Sequence, residues 1–200
     1  MTQLYQQYHP LVLASASPRR VELLSQLGVD FDQIPADIDE AVLHDEKAHD
    51  YVQRVAREKA CVIAGSHSDK YILGSDTSIH IDGQILGKPS DKAHFTEMMN
   101  LLSGQSHEVI TAICVATLIN TEMEITESVV TSTVTFATVS TQQIDAYWET
   151  GEPLGKAGGY AIQGMGGQFV THIDGSYSGI VGLPLAQTVL CLQDAGVISS

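Results

Sequence analysis

The stretch that decides the fold is LVLASASPRR, residues 11–20. Its first four residues are apolar and predict a short buried strand. Ser17 and Pro18 are residues typical of the N-cap and of the first position of a helix. Apolar residues then recur at spacings of three and four until Gly28, which predicts where that helix ends. The stretch therefore predicts a strand–loop–helix unit, as found in α/β proteins.

The rest of the chain predicts alternating strands and helices, followed by a run of strands. Apolar runs near positions 31 and 71 predict strands, and helical spacing covers residues 51–65. Two β-branched runs, 109–119 and 125–139, predict long paired strands. Alternation of strands with helices favours parallel pairing of the strands, whereas strands that follow one another directly favour antiparallel pairing. The expected fold class is therefore α/β, with a mixed twisted sheet and flanking helices.

The composition excludes several classes of protein. The 200 residues are 44% hydrophobic and 17% charged, unlike a disordered or fibrous chain. No apolar run approaches the roughly 18 residues of a membrane span, and the first residues do not resemble a signal peptide. The three cysteines are far apart, and the eight histidines form no HxxxH or HExxH pair. We therefore expect a cytoplasmic protein without a structural zinc site.

Positive charge is scarce and unevenly distributed along the chain. The formal net charge is −14, and of the ten lysines and arginines only Lys156 follows position 92. Such an acidic chain repels nucleic acids and anionic membrane surfaces, so neither is an expected partner. A small polyanion bound by a local cluster of the early cations is compatible with this distribution.

The sequence SASPRR, residues 15–20, suggests a phosphate site. Arg19 and Arg20 would lie in the first turn of a helix, where the macrodipole disfavours positive charge unless an anion compensates. Free backbone N–H groups, the Ser17 hydroxyl and two guanidinium groups together suit a phosphate. An ordinary helix start with solvated arginines would have the same residues, but the position after a strand favours the ligand site.

Asp76 lies in the sequence LGSDT, residues 73–77, which predicts that a strand beginning at Tyr71 ends at Gly74. A carboxylate at a strand end, beside small residues, could deprotonate a water molecule or bind a hard cation such as Mg²⁺. An aspartate that opens a turn is equally compatible with this pattern.

Glu40, Lys59 and Lys88 carry little functional signal when each is considered alone. Glu40 follows an acidic loop, and Lys59 lies on a predicted helix. Lys88 stands between a glycine and a proline at the mouth of a predicted hairpin. Charged residues in such places are mostly solvated, so the local sequence predicts three exposed side chains.

Six glycines occur between Gly155 and Gly167, which predicts an irregular segment. The spacing is neither that of a Walker loop nor that of a Rossmann fingerprint. Glycine lets a backbone approach a ligand closely, and the Gln163 amide offers a donor and an acceptor to the polar edge of a base. A flexible surface loop is the alternative, although ordering so many glycines is entropically costly.

Nine sequence blocks in order resemble the Maf family of nucleoside triphosphate pyrophosphatases, over Leu11 to about Gly196. The blocks are SASPRR at 15–20, LLSQLG at 23–28, IDE at 38–40, REKA at 57–60, LGSDT at 73–77, GKP at 87–89, LSGQSHEV at 102–109, KAGGYAIQGMGG at 156–167 and DGSYSGIVGLPL at 174–185. The resemblance implies an N-terminal extension over residues 1–10 and a single domain over residues 11–200. It implies two lobes around a central cleft, similar to the inosine-triphosphate pyrophosphatase (Maf/Ham1-like) fold.

The resemblance also implies an activity, a cofactor and residue roles. Members cleave nucleoside triphosphates between the α- and β-phosphates with a divalent metal, Mg²⁺ or Mn²⁺, and this chain is similar to the subgroup that acts on dTTP and UTP. The implied roles are substrate binding by Ser17, Arg19, Arg20, Lys59 and Lys88, proton acceptance by Asp76, metal binding by Glu40 and Asp76, and base selection by Arg20, Thr77 and Gln163.

Two functional hypotheses follow from the resemblance. The first is an enzyme that hydrolyses dTTP, UTP and modified pyrimidine triphosphates and so keeps noncanonical nucleotides out of nucleic acid. The second is a nucleotide-binding regulator of septum formation, which would need the phosphate site but not Asp76 as a base. Family likeness implies a homodimer in either case.

Overall fold

A computed structural model describes residues 4–200 of the chain. Helices α1 to α6 cover Pro18–Ser25, Ala48–Ala64, Lys92–Leu102, Thr141–Glu149, Tyr177–Val181 and Leu185–Asp194. Strands β1 to β9 cover Gln6–Gln7, Leu11–Leu13, Phe31–Gln33, Tyr71–Ile81, Gln84–Leu86, Ser106–Ile119, Glu122–Phe136, Val170–Asp174 and Ile198–Ser199. Two 3₁₀ turns, Ala157–Gly159 and Met165–Phe169, overlap the glycine-rich segment. No helix within residues 4–200 is long and apolar enough to cross a membrane.

The main sheet is mixed, as the sequence predicts. Its strand order is β3–β2–β4–β6–β7–β8, with β5 paired to β4. Strand β2 is parallel to both β3 and β4, whereas β5 is antiparallel to β4 and β8 is antiparallel to β7. A separate two-stranded sheet pairs β1 with β9. Part of the segment expected as an extension, residues 1–10, is therefore hydrogen bonded to the last strand.

Local sequence signals explain several of the element boundaries. Asp82 and Gly83 have φ values of 49° and 78°, the left-handed conformation that a two-residue hairpin turn requires. The Ser140 hydroxyl accepts a hydrogen bond from the Gln143 backbone N–H, and the Gln143 side chain accepts one from the Ser140 N–H, which completes a capping box at the start of α4. Ser17 and Pro18 stand at the N-cap and first position of α1. These local predictions are confirmed.

The prediction that a strand ends at Gly74 is wrong, because β4 continues without a break to Ile81. Pairing with β2 stops at Leu73, but Ile79 and the residues after it pair with β5, which extends the strand. Asp76 therefore lies within β4, just beyond the last residue that β2 pairs with. The direction of its side chain therefore follows from the alternation of side chains between the two faces of the sheet, not from a turn.

The chain divides into two compact units. The first comprises the chain up to Asp76 together with Thr111–Val130 and Gly182–Ser200. Its core is formed by fully or almost fully buried side chains of β2, α2, the first half of β4 and the middle of β6. They include Leu11, Val12, Leu13, Val52, Val55, Ile72, Leu73, Ile113 and Val115.

The second unit comprises Thr77–Ile110 and Thr131–Val181 and has its own core, rich in aromatic residues. The rings of Phe136 and Tyr160 lie with their centroids 4.8 Å apart, in an edge-to-face arrangement. A buried polar pair lies among them, with His107 Nε2 at 2.8 Å from the Tyr160 hydroxyl. Burial lowers the pKa of His107 to about 4, so the imidazole is neutral near pH 7.

Candidate active site

Two carboxylates of the first unit meet at the ammonium group of Lys59. Its Nζ atom lies 2.7 Å from Glu40 Oε1 and 2.8 Å from Asp76 Oδ1. Lys59 and Asp76 are each only 6% exposed, while Glu40 is partly exposed. The local prediction that the Lys59 side chain is exposed is wrong, and Glu40 is only partly exposed. One ammonium group instead joins two carboxylates, one of which is buried.

The packing of α2 on β4 explains why Lys59 is buried. Lys59 continues the buried face of α2 that includes Val55 and Ala56, because these residues are spaced by three and four. Gly74 lets β4 approach this face, since a Cβ atom at Gly74 would lie 2.9 Å from the backbone nitrogen of Ala60. Asp76, two residues further along the same strand, then reaches the Lys59 ammonium.

Arg20 extends the cluster from the start of α1. Its Nε atom donates a 2.8 Å hydrogen bond to the Gly182 carbonyl, and Nη1 donates a 3.3 Å bond to the Ser15 hydroxyl. The buried Ser75 hydroxyl donates to the same carbonyl of Gly182, at 3.1 Å. Burial lowers the pKa of Arg20, and the negative charge of Asp76 opposes that shift. The fold thus fixes Arg20 within electrostatic reach of Asp76.

Ser17 and Arg19 flank this arrangement and are both partly exposed. The Ser17 carbonyl accepts the first helical hydrogen bond, from Val21 N at 3.2 Å. Its side chain makes no capping hydrogen bond to α1, in contrast to Ser140 at α4. The positive charge of Arg19 adds to the lowering of the Arg20 pKa that burial causes.

Two residues of α2 that the sequence analysis missed hold the Glu40 segment in place. The Tyr51 hydroxyl donates to the Glu40 carbonyl at 3.1 Å, and Arg54 Nη2 donates to the Ala41 carbonyl at 2.9 Å. Arg54 also forms a two-pronged ion pair with Glu46, at 2.6 and 2.9 Å. Tyr51 and Arg54 are three residues apart and so share one helix face, which is the signal that could have revealed them.

Electrostatics link Tyr51 to the same cluster. Burial, followed by the negative charges of Asp76 and Glu40, raises the pKa of Tyr51 to about 12. Its hydroxyl therefore stays protonated near neutral pH and remains a donor to the Glu40 carbonyl.

The other predicted site residues lie in the second unit. Thr77 is on β4 and partly exposed, whereas Lys88 and Gln163 are exposed. The exposure of Lys88 agrees with its local sequence. Gly158 N donates a 2.9 Å hydrogen bond to the Gly87 carbonyl, which brings the glycine-rich segment next to the backbone that carries Lys88.

Within residues 4–200, no group of three or more histidine, cysteine, aspartate and glutamate side chains is arranged to hold a metal ion. Glu40 and Asp76 nevertheless fit a metal that is bound together with a substrate. Mg²⁺ is commonly held by one or two carboxylates, and water and phosphate oxygens complete its coordination. Each of the two carboxylates places one oxygen within 2.8 Å of the Lys59 ammonium, so both face the same part of the site.

The family model described as Maf-like protein matches residues 10–195 of this chain. The chain belongs to the Maf family. Named relatives of this chain are similar to it in sequence over most of their length. A Maf relative from Pseudoalteromonas translucida (strain TAC 125), named dTTP/UTP pyrophosphatase, is 52% identical over 90% of this chain and 94% of its own length. A protein of the same name from Acinetobacter baylyi (strain ATCC 33305 / BD413 / ADP1) is 47% identical over 90% of this chain and 97% of its own length.

Among solved structures, the Staphylococcus aureus Ham1 protein matches this Maf chain with a TM-score of 0.43 and 14% identity. That match covers 62% of this chain and 71% of the Ham1 chain.

Proposed function

We propose that this protein is a nucleoside triphosphate pyrophosphatase that hydrolyses dTTP and UTP to the nucleoside monophosphate and pyrophosphate. The observation that carries the proposal is the buried Lys59–Asp76 ion pair, joined by Glu40 and lying within electrostatic reach of Arg20, in a Maf chain. The names of the two relatives support the choice of dTTP and UTP. The family resemblance further supports a homodimer that acts in the cytoplasm.

Asp76 is proposed to accept the proton of the attacking water. The water oxygen forms a bond to one of the two phosphorus atoms that flank the oxygen bridging the α- and β-phosphates. The bond from that phosphorus to the bridging oxygen breaks, and pyrophosphate is released. Hydrogen bonding to Lys59 fixes the orientation of the Asp76 carboxylate, which suits a general base that must be aligned with its water.

Basic groups are proposed to bind the triphosphate. Arg19 and Arg20 provide planar guanidinium groups suited to phosphate oxygens, and the hydroxyl of Ser17 adds a donor at the start of α1. Lys59 and Lys88 add positive charge. A triphosphate in an acidic protein needs such a concentrated set, because the net charge of −14 repels anions elsewhere.

Glu40 and Asp76 are proposed to hold a divalent cation, Mg²⁺ or Mn²⁺, when the nucleotide binds. Such a cation would neutralise phosphate charge and favour attack by water. Tyr51 and Arg54 support this role, because their hydrogen bonds to the Glu40 and Ala41 carbonyls restrict the segment that presents Glu40.

Thr77, Gln163 and Arg20 are proposed to select the base. Uracil and thymine present an N–H flanked by two carbonyls, and a glutamine amide can both donate to and accept from that edge. Gln163 is exposed, so its amide is accessible to a ligand. A group built to pair with this edge is left unsatisfied by cytosine or a purine, which costs about 1–3 kcal/mol per group.

Pyrophosphate release from a panel of nucleoside triphosphates tests the proposal. We expect dTTP and UTP to be cleaved at least about tenfold faster, by kcat/KM, than dCTP, ATP or GTP, which is about 1.4 kcal/mol of discrimination. Chelation of divalent cations should abolish the release, and added Mg²⁺ or Mn²⁺ should restore it. Tight nucleotide binding without hydrolysis, in the presence of either metal, would contradict the proposal and favour the regulatory hypothesis.

A further inference from the structure

Glu152 makes an unusual set of contacts for a glutamate that follows a helix. Its Oε1 atom accepts hydrogen bonds from the Tyr147 hydroxyl at 2.7 Å and from Gly166 N at 2.9 Å. Its Oε2 atom accepts one from Met165 N at 2.9 Å. One carboxylate thus satisfies a buried hydroxyl and two consecutive backbone N–H groups of the glycine-rich segment.

The same carboxylate lies directly against the backbone of Gly164. A Cβ atom at this position would lie 2.6 Å from Glu152 Oε1, a distance that real Cβ atoms do not adopt. A side chain at position 164 would therefore displace the Glu152 carboxylate from the hydrogen bonds described above.

Gln163 stands between two anchors that share the Tyr147 hydroxyl. On its N-terminal side, Ala161 N donates to that hydroxyl at 3.3 Å. On its C-terminal side, the backbone N–H groups of Met165 and Gly166 donate to Glu152, which also accepts a hydrogen bond from the Tyr147 hydroxyl. The backbone on both sides of Gln163 is held, while the Gln163 side chain itself is exposed.

The ionisation of the Glu152 carboxyl is consistent with the hydrogen bonds that it accepts. Burial opposes ionisation, but the hydrogen bonds from Tyr147, Gly166 and Met165 together lower the pKa of the carboxyl. The Lys156 ammonium donates to the Glu152 backbone carbonyl and adds positive charge nearby. Glu152 is therefore ionised near neutral pH, and both of its oxygens are acceptors.

We propose that Glu152 is a positioning residue that fixes the segment carrying Gln163 and thereby determines the base preference of the enzyme. The inference rests on the proposed function, because it assumes that Gln163 reads the base. The contacts of Glu152 described above are with backbone N–H groups and with the Tyr147 hydroxyl. Its removal should therefore change the discrimination between bases more than it changes the chemistry of phosphate cleavage.

The variant Glu152→Gln tests this inference. A glutamine amide has only one acceptor oxygen and would place an NH₂ group against a backbone N–H, so one anchor is lost with little change in volume. We expect the ratio of kcat/KM for UTP to that for CTP to fall at least about fivefold, with kcat for UTP changed less than about twofold. Glu149→Gln is the matched control, because Glu149 is exposed and contacts Lys92, at 3.3 Å.

A double variant separates positioning from a general loss of structure. If Glu152 acts through Gln163, then Glu152→Gln should leave the UTP-to-CTP ratio unchanged in a Gln163→Ala background. An equal fall of the ratio in both backgrounds, or a fall of kcat without a change of the ratio, would overturn the inference. Thermal unfolding of each variant gives the folded fraction at the assay temperature, and each rate is divided by the concentration of folded enzyme. If the unaltered enzyme shows no preference for UTP, the proposed function fails; if it shows one that Glu152→Gln retains, only this inference fails.

Discussion

Lys59 and Asp76 form an ion pair of 2.8 Å whose two members are almost completely removed from solvent. Breaking a buried pair by removing one partner is costly, because the other charge is left without compensation. The proposed base and the lysine beside it are therefore parts of the folded core of the first unit.

Asp76→Asn should abolish turnover while the protein stays folded. The amide keeps the shape and retains an oxygen that can accept from Lys59, but it cannot take a proton from water, and a general base contributes about 10²–10⁴-fold in rate. We expect kcat for UTP to fall at least about 100-fold, measured as pyrophosphate release. Asp69→Asn, at an exposed aspartate of the same unit, is the control. Wild-type turnover by Asp76→Asn would remove Asp76 from the proposed mechanism.

Arg54→Lys should weaken the hold on the Glu40 segment. A lysine keeps the positive charge but cannot bond Glu46 with two nitrogens and reach the Ala41 carbonyl at the same time. We expect kcat/KM for UTP to fall roughly tenfold, or about 1.4 kcal/mol, which is close to the lower end of the range of about 1.5–3 kcal/mol for a hydrogen bond to a charged group. Arg57→Lys is the control, because Arg57 lies on the same helix as Arg54 but pairs with Glu127 of β7, and this variant should retain activity. Equal effects of the two variants would argue against a specific role of Arg54.

Gln163→Glu should erode the preference for uracil and thymine. A carboxylate can accept from the base N–H but cannot donate to a base carbonyl. The expected result is a UTP-to-CTP ratio of kcat/KM reduced at least about fivefold, from competition assays with both nucleotides. Gln142→Glu, an exposed position on α4, adds the same charge elsewhere in the second unit. An unchanged ranking of substrates in Gln163→Glu would show that another residue reads the base.

The buried His107 should make stability depend on pH. Its pKa is about 4 in the folded protein, below the ordinary value of about 6.5, so the unfolded chain binds a proton first as the pH falls. Above about pH 6.5 the imidazole is neutral in both the folded and the unfolded state, so it does not change the free energy of unfolding. Between pH 6.5 and 4 the free energy of unfolding should fall by on the order of 3 kcal/mol.

Urea unfolding of His107→Gln at pH 7 and pH 4.5 isolates this effect. Glutamine can still hydrogen bond to the Tyr160 hydroxyl, which lies 2.8 Å from His107 Nε2, but it does not titrate. The variant should therefore lose less stability on acidification than the unaltered protein. The same pH dependence in both proteins would assign it to other groups.

Gly74→Ala should destabilise the first unit. The new methyl group would meet the backbone of Ala56 and Ala60, which cannot move without displacing α2. We expect a loss of about 3 kcal/mol in the free energy of unfolding, together with lower activity, because Asp76 follows on the same strand. Gly65→Ala is the control, since its methyl group would find ordinary contact distances, the nearest at 3.5 Å. Equal stability of the two variants would contradict the packing described for β4.

The features that sequence analysis predicted are those fixed by a few neighbouring residues. The Asp82–Gly83 turn, the capping box at Ser140 and the start of α1 each depend on local backbone and side-chain chemistry. The length of β4 was not predictable in this way, because it depends on pairing with β5 and on packing against α2.

The same distinction applies to the candidate site. The local sequence around Lys59 describes an ordinary helix lysine, and its burial results from contacts with Glu40 and Asp76, which lie far from it in the chain. Family resemblance named these residues because it carries information about such distant contacts. It did not extend to Arg54 or Glu152, whose partners are mainly backbone groups and neighbouring side chains that only the folded structure brings together.

Helix α2 presents Tyr51, Arg54 and Lys59 to different partners from one continuous helix, and each residue added or removed turns the rest of that helix by about 100°. A single insertion between Arg54 and Lys59 would thus leave the hydrogen bonds of Tyr51 and Arg54 to the Glu40 and Ala41 carbonyls intact, while it rotated the lysine away from Asp76. Substitutions on the exposed side of α2 should be tolerated, whereas any change in its length should not. An insertion should instead be tolerated in the turn at Asn120 and Thr121, where the backbone reverses direction between two strands.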